Sequence, residues 1–73
     1  MPTWYVIHLP VGQPEKIERY DDEDRAKDAA CWRLTTGQNV TELGTIEGDE
    51  RYRKLDAQGI RQMCAERPGW ERS

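Results

Sequence analysis

Thr3-Trp4-Tyr5-Val6-Ile7-His8-Leu9 decides the fold. Aromatic and β-branched residues crowd these seven positions, the types that fit a pleated backbone, and Pro10, Gly12 and Pro14 close the run with a turn. A strand is expected there. Side-chain alternation puts Tyr5, Ile7 and Leu9 on one face and Trp4, Val6 and His8 on the other. Neither is a solvent face. One thin helical layer covers only one side of a sheet, so the other must be covered by a second helix or by a partner molecule.

Working outward, Lys16 to Tyr20 returns as a second strand with Ile17 inward, making a hairpin. Asp21 or Asp22 then offers an N-cap, Glu23 and Asp24 suit the positive end of a helix, and Gly37 supplies a stop. The helix is expected from about 22 to 36. At the helical repeat, Ala26, Ala29, Ala30, Arg33 and Leu34 form a stripe narrow enough to approach a sheet closely. Trp32 projects roughly 140° from the centre of that stripe, on a flank or exposed. Ile17 and Tyr20 project to the opposite side, so the chain breaks near Asp21.

Val40 to Ile46 forms a further strand in which Val40, Leu43 and Ile46 do not alternate cleanly and Gly44 suggests a bulge. Glu47-Gly48-Asp49-Glu50 turns the chain, and Arg51 to Leu55 returns as a strand. Asp56 caps a marginal last helix, Ala57 to Arg67, with Ile60, Met63 and Cys64 on one side and Gly59 costing about 1 kcal/mol relative to Ala. Pro68-Gly69 ends it. The expected fold is α+β: a small antiparallel sheet of three or four strands on one main helix, a single domain over residues 1–67 and a frayed tail over 68–73.

With 73 residues there is room for one small domain, and only 11 of them are Leu, Ile or Val, with no Phe. The core must therefore be thin and lean on its aromatics. No apolar run is long enough to span a membrane, and no basic start precedes an apolar stretch, so an intracellular protein is expected. Cys31 and Cys64 lack the dense spacing of a disulfide framework and are expected as reduced thiols. With His8 the only imidazole, no paired metal-ligand spacing exists, and neither metal nor cofactor is expected.

Charge is uneven. Residues 15–28 hold seven acids against four bases, whereas residues 50–73 hold six bases against four acids. Arg51, Arg53 and Lys54 cluster, yet acids interrupt the basic residues and the chain is net −3, so strong direct nucleic-acid binding is not expected. The acidic stretch reads instead as a docking face for a basic surface on another macromolecule. Catalysis is not expected either: His8 reads as a sheet histidine, and Cys31 has no neighbouring cation beyond Lys27 to activate it. Pro2 after Met1 resembles the small tautomerases, but the break near Asp21 denies the continuous helix they need.

Trp4-Tyr5-Val6-Ile7-His8, Gly12 and Glu15-Lys16-Ile17 together resemble the opening of the N-terminal domain of NusG-type transcription elongation factors. In that family the domain grips the RNA polymerase clamp. The chain as a whole is also similar to the very small regulators that lytic phages make to take over host transcription. This resemblance implies a non-enzymatic effector in the host bacterial cytoplasm that binds the N-terminal region of the polymerase β′ subunit. It would inhibit initiation by disfavouring the σ-holoenzyme and act in antitermination. Under that reading the contact residues are Trp4, Val6 and His8 for apolar contact and Glu18, Asp21, Asp22 and Asp24 for charge. The alternative is another anti-host inhibitor whose acids imitate nucleic acid and block a nuclease or CRISPR complex.

Overall fold

The computed structural model describes residues 2–66. They form β1 (Thr3–Leu9), β2 (Lys16–Tyr20), α1 (Glu23–Thr35), β3 (Asn39–Glu47), β4 (Glu50–Asp56) and α2 (Ala57–Glu66). The four strands make one antiparallel sheet in the order β2-β1-β3-β4, which places the apolar β1 in the interior of the sheet. Among the described residues no helix is long and apolar enough to cross a membrane. Residues 67–73, where the helix end at Pro68-Gly69 and the frayed tail were expected, lie outside the described residues.

Both helices pack on the same face. Val6, Val40 and Leu43 from the sheet meet Ala26 and Ala30 from α1 and Ile60 from α2, all at most 1% exposed, with Trp4, Tyr20, Leu34, Leu55 and Met63 around them. The two alanines let α1 lie close to the strands, as the small-residue stripe requires. Trp32 points away and is 62% exposed.

Two irregularities in the ladder reconcile the broken alternation of β3 with this core. Ile7 faces Glu42 but His8 faces Val40, so Thr41 is an extra residue on β3. That extra residue brings Val40 and Leu43, which a regular strand would send to opposite faces, onto the helix-covered side together. The second shift lies at Gly44, as expected, but its extra residue is Lys54 on β4, between the pairs Leu43–Leu55 and Gly44–Arg53. Here β4 approaches so closely that a Cβ on Gly44 would sit 2.1 Å from the Tyr52 carbonyl oxygen. Only glycine fits.

Two expectations need correction. Ile17 does not point inward: Glu18 and Tyr20 take the helix side of β2, Tyr20 packing on the core, so Ile17 stands opposite Ile7 on the other face, 44% exposed. Cys31 and Cys64 are not free thiols but a disulfide joining α1 to α2, with 5.5 Å between Cα atoms. Their separation of 33 residues carries no signal in the sequence, whereas two helices side by side on one face bring the positions within bridging distance.

Candidate interaction surfaces

Where β2 runs into α1, the chain gathers its acids. Asp22 caps the helix, its Oδ1 accepting from the Arg25 amide at 2.8 Å, while its extended backbone makes the break near Asp21. Glu23 pairs with Lys27 one turn on, at 2.6 Å. Asp21 and Asp24 stand exposed on either side of the cap.

Behind this corner lies a polar cluster between β1, β2 and the end of α1. The Glu18 carboxylate accepts from Arg33 Nη2 at 2.6 Å, Arg33 Nε at 3.1 Å and the Tyr20 hydroxyl at 2.8 Å. Burial pushes the Glu18 carboxyl up, but the bonds from Tyr20 and Arg33, with the charges of Arg33 and His8, outweigh it and hold it below the ordinary glutamate value. The Tyr20 phenol is pushed up to about 12 by burial and by its bond to, and the charge of, Glu18. Gln38 Oε1 accepts from Arg33 Nη1 at 3.3 Å and lies 3.1 Å from His8 Nδ1. That oxygen can only accept, so Nδ1 of His8 is the donor in this pair. His8 Nε2 is then left buried without a hydrogen-bond partner, 3.8 Å from the Glu18 carboxylate.

These positions redraw the expected contact set. Trp4, Val6 and His8 are on the face that the helices cover: Val6 lies in the core, His8 is 2% exposed, and Trp4 packs half-buried against the core. Val6 and His8 offer no surface for the apolar contact expected of them, because α2 joins α1 on their side of the sheet instead of covering the other. Glu18 is committed to Arg33 and Tyr20, and Asp22 to its cap. Asp21 and Asp24 remain as outward charges. Arg33, central to the cluster, was legible only as a cation inside an apolar stripe, a position that calls for a buried or half-buried acid partner.

On the helix-free face, Tyr5 is fully buried although no helix covers it. Its hydroxyl donates to Glu42 on β3, and the Arg51 guanidinium lies over its ring, 5.9 Å from the centroid. Burial, with the Glu42 bond and charge, pushes the phenol up to about 12 against the opposing charges of Arg51 and Arg53. Arg19 stands directly across from Tyr5 on β2. Three arginines from the two edge strands thus share this face. Among the described residues no three of His, Cys, Asp and Glu converge to hold a metal. Comparison with protein-family models, with curated proteins and with solved structures finds no match.

Proposed function

We propose that the chain is a non-enzymatic regulator that acts by docking on a larger protein assembly through the acidic corner at the start of α1. The observation that carries this reading is the exposure of Asp21 and Asp24 on a corner made rigid from behind by the Asp22 cap and the Glu18–Arg33–Tyr20 cluster. Charges fixed in place steer an oppositely charged partner and select its orientation. The likeness of the opening to NusG-type factors supports bacterial RNA polymerase as the assembly, and the likeness of the whole chain to small phage regulators supports the β′ N-terminal region as the docking point. Inhibition of σ-dependent initiation and antitermination are the consequences, in the bacterial cytoplasm. A cytoplasm keeps thiols reduced, so in that setting the corner has to keep its shape on β1, β2 and α1 without the Cys31–Cys64 bond.

The test is capture of core RNA polymerase by tagged protein carrying Asp21→Lys and Asp24→Lys, which spare the cap. Capture by the wild type and its loss in the variant, with an unchanged circular dichroism spectrum, is the expected result. Equal capture by both, or none by either, removes the reading.

A further inference from the structure

We propose that the helix-free face of the sheet is a separate contact surface for the phosphate backbone of a single nucleic-acid strand. The registers set Arg19, Tyr5, Gly44 and Arg53 side by side in one row across all four strands. Neighbouring strands lie about 4.8 Å apart, so the two arginines stand roughly 14 Å apart at their Cα atoms, with Arg51 about 7 Å further along β4. Between them Gly44 has no side chain, and Tyr5 is buried beneath Arg51. The face is a shallow track with cations at its margins.

Charge on this face runs against the chain as a whole. The sequence is net −3, yet on this face the strands set three arginines, Arg19, Arg51 and Arg53, against two acids, Glu42, which accepts from the Tyr5 hydroxyl, and Asp56, which accepts from the Gly59 amide, so its balance is positive. Arg19, Arg51 and Arg53 are all exposed. Their planar forks match phosphate oxygens two at a time, which lysines would not.

A protein partner is a poorer fit. Docked proteins draw most of their energy from a few buried apolar or aromatic anchors. Here Tyr5 and Ile7 are already buried, and among the described residues Ile17 is the one large apolar side chain exposed on this face; Trp32 and Tyr52 are exposed elsewhere. With no aromatic exposed on this face among the described residues, bases are not read. The contact is therefore one of charge, weak, indifferent to sequence and salt-sensitive. It does not rest on the docking role of the acidic corner, and it agrees with the absence of strong nucleic-acid binding expected from composition.

The experiment is a titration of the isotope-labelled protein with a 20-nucleotide oligo-deoxythymidine at several salt concentrations, followed by amide shifts. Shifts should centre on β2 and β4, and log K should fall with log salt at a slope of about −2, the value for three phosphate contacts on a single strand. Arg19→Gln with Arg53→Gln should reduce the slope to about −0.7, the value for one contact, and weaken binding at least tenfold, while Arg19→Lys with Arg53→Lys keeps the slope. Both positions are exposed, so thermal melting of the variants should match the wild type. No saturable shift at low salt overturns the proposal. So does a response centred on α1, a double Gln variant that binds equally well, or tighter binding of poly-glutamate than of the oligonucleotide.

Discussion

Reducing the Cys31–Cys64 bond should remove a large share of this domain's stability. The bond closes a loop across 33 residues, and in the chain-entropy account a loop of that length restricts the unfolded chain by about 4 kcal/mol. A domain of this size has a total stability of roughly 4–10 kcal/mol. Little else holds α2: it has 10 residues, too short to persist alone, and buries only Ile60 fully. A loss of about 4 kcal/mol corresponds to a drop in Tm of roughly 15–30 °C for a domain of this size. The assay is thermal unfolding by circular dichroism with and without a phosphine reductant. Alkylation and mass measurement confirm zero labelled cysteines in one sample and two in the other, and Cys31→Ala with Cys64→Ala serves as the reductant-free equivalent. Hydrogen exchange in the reduced protein below its Tm should show residues 57–66 losing protection before β1 and β3. Melting within a few degrees of the oxidised protein, once both thiols have reacted, would refute the reasoning.

Tyr5 and Tyr20, both pushed up to about 12 from 10.0, bind their protons more tightly folded than unfolded. The stability they contribute is intact below pH 10 and drains as pH rises through about 12; an ultraviolet titration should show them ionising near 12 in the native protein and near 10 in urea, and coincident curves would count against it. Glu18 has the opposite sign: burial raises its carboxyl, but its bonds to Tyr20 and Arg33 and the neighbouring positive charges win and leave it lowered. Its contribution is present above the unfolded value near 4.5 and is lost as pH falls through the lower folded one. Glu18→Gln should abolish that acid-limb dependence and cost about 1 kcal/mol by urea unfolding, the low end for a charge-assisted bond because both partners are partly exposed; an unchanged acid limb would show that Glu18 is not its source. Gly44→Ala should cost about 1–3 kcal/mol through the clash with the Tyr52 carbonyl. Gly44 is not among the positive-φ glycines, so the cost is steric, and a wild-type urea midpoint would mean that β4 can move away.

What was legible in the sequence was local. A run of β-formers closed by Pro10 and Gly12, a capped helix ended by Gly37, and Asp56 before the last helix each announce themselves within a few residues. All are present, including the Asp56 side chain accepting from the Gly59 amide at 2.8 Å. What was not legible depends on which face an element chooses. Ile17 looked inward because it is the apolar residue of β2, but Tyr20 carries more apolar surface, and with Glu18 reaching Arg33 it decides the phase. The disulfide is hidden for the same reason, since its formation requires both helices on one side of the sheet.

That single choice also explains why the expected contact residues divide as they do. Covering β1 twice from the same side buries Val6 and His8 and leaves Tyr5 to be sealed by its neighbours. The sealing is done by a ring hydrogen-bonded to Glu42 and capped by Arg51, so charged side chains take the place that a third helix would fill. The apolar second face of β1, which in the sequence demanded a cover, is thus satisfied within the chain. On that face arginines outnumber acids, and the exposed acids congregate where β2 runs into α1, which needs them at its first turn. Charge separation in this molecule therefore follows from two ordinary folding requirements, a sealed strand and a capped helix, and each of the surfaces so created differs in sign from the other.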